Sequence, residues 1–94
     1  MRVIGKAAIT PFSRIHPDAL APLLHWYHLA KRAAWANLVD VRKDFPHADG
    51  VERLTIFNIA GNKYRLITAI KYRWNVVYVR QILTHAEYNK DNWK

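Results

Sequence analysis

Between Arg53 and Thr84 the chain spells three runs, RLTIFNI, KYRLITAIKY and NVVYVRQILT, with AGN between the first two and RWN at the join of the last two. Each run is dense in β-branched and aromatic residues, which suit a pleated, half-buried surface. Both connections are short enough for hairpins. The second half is therefore expected to be an antiparallel meander, and the first half must cover one of its faces.

The first half reads as helices. GKAAITPFSRI holds a short one, weakened by Pro11, which removes a donor and crowds the preceding turn. HPDALAPLLHWYHLAKRAAW is the stronger helix. Pro17 and Asp18 are start signals, and Leu20, Leu23, Leu24, Tyr27, Ala30 and Ala34 form an apolar stripe at helical spacing. Lys31 and Arg32 fall where cations suit the helix dipole. NLVDVRKDF reads as a third helix, and PHADG breaks the chain. The expected fold is α+β: one domain over residues 1–94, with N-terminal helices packed on one face of a three- to four-stranded antiparallel sheet. A short C-terminal helical turn follows the last strand.

Turn lengths set the register. With Gly61-Asn62 as a two-residue turn, Asn58 pairs with Arg65. With Trp74-Asn75 as the second turn, Arg73 pairs with Val76, Lys71 with Tyr78 and Ala69 with Arg80. Cross-strand partners share a face. One face then carries Leu54, Ile56, Asn58, Lys63, Arg65, Ile67, Lys71, Tyr78, Arg80 and Ile82. The other carries Phe57, Ile59, Tyr64, Leu66, Ile70, Tyr72, Val77, Val79 and Leu83; being more apolar, it is expected to meet the helices.

Charge points to a partner. The chain carries 15 Lys and Arg against 7 Asp and Glu, a net +8. No Asp or Glu occurs from Arg53 through Ala86, which leaves a surface suited to phosphate. There is no Cys, so disulfides, thiolate metal sites and a Cys nucleophile are excluded. No run approaches the roughly 20 apolar residues of a membrane span, and MRVIGKAAITPFSRIHPD has no signal-peptide core. A cytoplasmic protein without a membrane partner is expected. His25 and His28 lie three apart, but no carboxylate follows one turn later, so no metal site is expected.

The tail, ILTHAEYNKDNWK, follows the third strand directly. If residues 85–90 form a helical turn, His85 and Tyr88 share one side and lean over the Arg65/Arg80 face. Guanidinium groups match phosphate oxygens bidentately. Imidazole titrates near neutrality, and a phenol moves a proton when nearby cations favour its anion. Phosphate clamps beside proton carriers suit phosphodiester cleavage. RNA supplies its own nucleophile, the 2′-hydroxyl, so no metal is required.

FNIAGNKYRLI and THAEYNK, in that order and separated by an apolar strand, resemble the HigB branch of the RelE-like toxins. The helical HPDALAPLLHWYHLAKRAAW also fits, so the resemblance spans nearly the whole chain. It implies a small basic α+β toxin that acts in the ribosomal A site. There it would cut mRNA without metal or cofactor, by 2′-hydroxyl attack that leaves a cyclic phosphate. It implies an operon partner, a HigA-type helix-turn-helix antitoxin. It places Arg65 on the family's YRL arginine, Arg80 approximately on a second arginine, and Tyr88 on the terminal tyrosine; His85 belongs to the THAEY signature. Better-known relatives carry two lysines on the strand before YRL. Here that strand is RLTIFNI, leaving Lys63, Lys71 or His85 as alternatives for the general base.

The expected catalytic set is Arg65, Arg80, His85 and Tyr88. Asn58 is expected to contact a base or sugar, Lys63, Lys71 and Arg73 to hold RNA, and Trp74 and Trp93 to stack on bases. Trp26 and Trp35 are expected in the core or in contact with the antitoxin. The competing reading is a non-catalytic RNA- or DNA-binding module using the same basic face.

Overall fold

A computed structural model describes all 94 residues. Strand β1 (Arg2–Ile4) leads through a 3₁₀ turn into α1 (Ile9–Ile15). A second 3₁₀ turn (Pro17–Ala19) leads into α2 (Leu20–Arg32), followed by α3 (Leu38–Asp44). Strands β2 (Asp49–Val51), β3 (Leu54–Ile59), β4 (Tyr64–Lys71) and β5 (Val76–Thr84) follow, and α4 (His85–Asn89) ends the regular structure. The α+β expectation holds, and so do the helical first half and the terminal turn.

The sheet differs from expectation at both edges. It has five strands in the order β1-β5-β4-β3-β2, and β1 runs parallel to β5. Both edge strands are three residues long, too short to show an alternating pattern. Gly5 follows β1 with φ +94°, and a Cβ there would meet the Val79 carbonyl at 2.8 Å. Only glycine lets the chain leave the sheet at that point.

The helices cover one face. Leu23, Trp26 and Ala30 of α2 are fully buried, whereas Leu20 and Leu24 of the expected stripe stay partly exposed. Trp26 packs edge-on against Phe57 at 5.5 Å, and Phe45 does so at 5.2 Å from the end of α3. Trp35 donates to Asp44 at 2.9 Å. Both tryptophans are core residues, the first of the two places expected for them. Asn37 caps α3 by accepting from the Asp40 amide at 3.0 Å. With Val41 buried beneath it, α3 is fixed against the sheet edge.

The first hairpin has the expected register: Asn58 pairs with Arg65. The second does not. Its turn spans a 3₁₀ segment, Tyr72–Trp74, closed by Asn75 at φ 59°. A two-residue I′ turn needs positive φ at both central residues; Asn tolerates that conformation and Trp does not. The longer turn pairs Lys71 with Val76 and Ala69 with Tyr78. Arg73 therefore lies in the turn rather than opposite Val76. A bulge at Arg80 then leaves that residue unpaired, since Thr68 faces Val79 and Ile67 faces Gln81. One extra residue reverses every side chain beyond it. Leu83, not Ile82, joins the open face, and Ile82 packs with the helices.

Candidate active site

The open face is where the tail returns. Thr84 and Glu87 form a capping box: Thr84 Oγ1 accepts from the Glu87 amide at 3.2 Å, and Glu87 accepts from the Thr84 amide at 2.9 Å. Both orphan donors of the first turn are satisfied, so α4 starts rigidly at the last strand residue. That amide bond holds the Glu87 carboxyl below its ordinary pKa. The His85 amide donates to the Lys63 carbonyl at 2.8 Å, tying α4 to the β3–β4 hairpin.

Arg65 is the centre of the arrangement. It is only 8% exposed. Its Nη1 donates to the carbonyls of Asn62 at 3.2 Å and Tyr64 at 3.1 Å, and its Nη2 donates to Asn62 Oδ1 at 2.5 Å. No carboxylate pairs with it. A guanidinium has five N–H donors. Three are taken, which leaves Nε–H and one Nη2–H as a two-donor edge. An unpaired buried charge costs several kcal/mol, so this cation is held ready for an anion the chain does not supply.

His85 Nδ1 lies 2.9 Å from the Asn62 carbonyl and 3.4 Å from Arg65 Nη2. A carbonyl only accepts, so Nδ1 carries the hydrogen and the Arg65 contact is not a hydrogen bond. In the neutral ring, Nε2 then keeps its lone pair. Asn62 thus orients both Arg65 and His85. Turn reasoning had given it no such role, and nothing but its place beside Gly61 marks it.

The Tyr88 ring lies under the guanidinium, 5.3 Å from Arg65 Cζ. On its other side Trp93 stacks at 4.8 Å, tilted by 16°, and donates Nε1–H to the Tyr88 carbonyl at 2.8 Å. Trp93 is buried on Ile56 and Ile67. The expectation that it stacks on bases is therefore corrected: its ring faces are occupied within the protein.

A cavity of about 510 Å³ opens here, lined by Arg65, Tyr88, Asn58 and Ile56 on one side and by Arg42, His47 and Asp49 on the other. The second wall went unread in the sequence. Pairing of Asp49 with Ile56 carries the 45–49 segment alongside Asn58. Arg42 Nε donates to the Ala48 carbonyl at 2.9 Å, and Arg42 Nη2 lies 3.9 Å from Asp49.

The other expected residues stand apart. Arg80 is exposed at its bulge and does not line the cavity. Lys63 turns to the helical layer and pairs with Asp18 at 2.9 Å. Tyr64 donates to the same carboxylate, and with Lys63 it lowers the Asp18 pKa. Lys71 and Arg73 lie at the far hairpin, about 20 Å along the strand at roughly 3.3 Å per residue. There the Arg73 guanidinium sits 5.2 Å from the Trp74 ring.

Residues 19–91 match the family described as HigB_toxin, the RelE-like toxic component of a toxin-antitoxin system. The chain is 27% identical over 93 residues to the mRNA interferase HigB of Escherichia coli O6:H1 (strain CFT073), covering 96% of this chain and 90% of that protein. It is 22% identical over 92 residues to the mRNA interferase toxin HigB of E. coli K12, covering 95% and 88%. The mRNA interferase HigB of Shigella flexneri matches to the same extent. The matched segment runs from α2 past Tyr88 and includes both walls of the cavity.

Proposed function

This chain belongs to the HigB family of RelE-like toxins, and on that premise we propose that it is an mRNA interferase. In this reading it is a metal-independent endoribonuclease that cuts mRNA in the ribosomal A site and stops translation. It acts in the cytoplasm and is neutralised by a HigA-type helix-turn-helix antitoxin. The names of its relatives support the activity; the cavity supports the chemistry.

Arg65 receives the scissile phosphate on its free Nε–H/Nη2–H edge, two donors against two oxygens. His85 Nε2 accepts the 2′-hydroxyl proton as the 2′-oxygen bonds to phosphorus. The bond from phosphorus to the 5′-oxygen breaks, and Tyr88 gives that oxygen its proton. The products are a 2′,3′-cyclic phosphate and a 5′-hydroxyl. Charge gathers on the non-bridging oxygens in the transition state, where a preorganised cation is worth most. Proton transfer adds about 10²–10⁴-fold. Asn58, opposite Arg65, meets a base or sugar, while Lys71 and Arg73 hold the flanking RNA backbone.

The observation that carries this reading is a buried guanidinium with no carboxylate partner, an open donor edge and two proton-bearing side chains beside it. The test is inducible expression of wild-type and Arg65→Ala proteins with mapping of mRNA 5′ ends. New ends within codons, seen only with the wild type, support cleavage. Tight RNA binding without new ends would replace it with the non-catalytic reading.

A further inference from the structure

The proposed chemistry needs more cationic stabilisation than Arg65 alone provides. A phosphodiester passing through a pentacovalent state spreads two negative charges over its oxygens, and Arg65 has one free edge for them. The sequence directs attention to Arg80 for the second guanidinium. Arg42 is instead the one other Lys or Arg lining the cavity with Arg65.

Arg42 is positioned rather than loose. Val41 beside it is fully buried, and Phe45 one turn later packs on Phe57, so α3 cannot roll. The Arg42 Nε bond to the Ala48 carbonyl fixes the guanidinium plane. Asp49 stands too far for a hydrogen bond to Nη2, at 3.9 Å, so the terminal nitrogens keep their hydrogens for a ligand. The cavity between the two guanidiniums falls within the range of small-ligand pockets. It holds these two cations against one carboxylate, Asp49.

We propose that Arg42 is the second phosphate-binding residue, gripping the scissile phosphate from the α3 wall while Arg65 grips it from the β4 wall. This rests on the endoribonuclease reading. Across its free terminal edge Arg42 makes the same planar, two-donor contact.

The test compares purified Arg42→Ala, Arg42→Lys, Arg80→Ala and Arg65→Ala proteins in a ribosome-containing translation reaction, with cut mRNA quantified by primer extension and folding checked by thermal melting. Arg42 is an exposed residue, so Arg42→Ala is expected to melt like the wild type. Losing a charge-assisted contact lowers the rate by about 10- to 100-fold. Arg42→Lys recovers only part of it, and Arg80→Ala stays within about threefold. Full activity of Arg42→Lys overturns the planar contact in favour of a general charge effect. Arg42→Ala within threefold of wild type, with Arg65→Ala inactive, overturns the proposal and leaves the enzyme reading intact. Wild-type activity in Arg65→Ala brings down that reading itself. Affinity for a 2′-O-methyl-blocked dinucleoside phosphate gives a second measure: it should weaken in both Ala variants at positions 42 and 65 if the grip is shared, and only at 65 if it is not.

Discussion

The two walls of the cavity carry similar groups on opposite terms. The β4–α4 wall buries its guanidinium, surrounds it with carbonyls and an aromatic ring, and gives it no counter-ion. The α3–β2 wall leaves its guanidinium about half exposed, tethered to one carbonyl with a carboxylate nearby. Water can screen the second charge but hardly reaches the first. The buried charge has the greater electrostatic leverage on a bound phosphate and the greater desolvation penalty when empty. The exposed one costs little to maintain and contributes less per contact.

The sharpest way to break this contrast is Arg65→Met. Methionine replaces the aliphatic stem and carries no charge. Cleavage is expected to fall by at least about 10²-fold, the usual effect of removing an oxyanion-stabilising donor. Stability is expected to hold or rise, because a desolvated, unpaired charge has been replaced by an apolar chain. Paired assays of cleavage and chemical denaturation check both halves. A protein that loses stability as well as activity would mean that the Asn62 and Tyr64 carbonyl bonds outweigh the desolvation cost, and the β4 wall would be structural first.

Next in size is Trp93. It backs the Tyr88 ring and fills the space over Ile56 and Ile67. Trp93→Ala is expected to cost about 2–4 kcal/mol, near the range for truncating a buried aromatic but reduced by its place near the end of the chain. Trp93→Phe keeps a ring against Tyr88 and should recover most of the activity, though not the Nε1 bond to the Tyr88 carbonyl. If Tyr88 acts through its proton, Tyr88→Phe lowers the maximal rate and leaves KM nearly unchanged. Trp93→Phe should leave the maximal rate near that of the wild type. Equal rates in the Ala and Phe variants at position 93 would show that the ring does not position Tyr88.

On the other wall, Asp49→Asn removes the carboxylate beside Arg42. An exposed pair of this kind is worth roughly 0–1 kcal/mol, so cleavage should rise by about two- to fivefold at low salt, with the gain fading as salt increases. A loss of activity would assign Asp49 to orienting the guanidinium instead.

How much of each wall could be read in the chain follows the same division. Arg65, His85 and Tyr88 sit on elements with strong local signals: β-branched runs, a Gly-containing hairpin and a polar tail directly after a strand. The pairing of Asn58 with Arg65 followed from one short turn. The register past Trp74 did not, because only Asn75 takes a left-handed conformation and the bulge at Arg80 has no local signal. That bulge moved Leu83 onto the open face. Arg42 was hidden for another reason. On a short helix its charge looks like an ordinary solvated face, and the strand that carries its wall to the cavity, Asp49–Val51, is too short for any periodicity. The capping box in THAE is readable as a Thr three residues before a Glu.

That capping box gives the smallest expected effect and locates the hinge between tail and sheet. Thr84→Ala removes the side-chain acceptor for the Glu87 amide, a loss of about 0.5–2 kcal/mol for an N-cap. Glu87 adds a pH signature. Its folded pKa is depressed, chiefly by the Thr84 amide bond. The stability it contributes is therefore complete above its unfolded pKa of about 4.3 and is lost as pH falls through the lower folded value. Asp18, lowered by Tyr64 and Lys63, acts in the same direction at the same end of the hairpin, on its helical side. Glu87→Gln should flatten the Glu87 part of the acid limb of a stability–pH curve while leaving the Asp18 part. Hydrogen exchange at the amides of residues 84–88 should report the loosening of α4 in both variants. If exchange there stays as slow as in the wild type, Trp93 stacking alone holds the tail, and the β4 wall is braced from one side only.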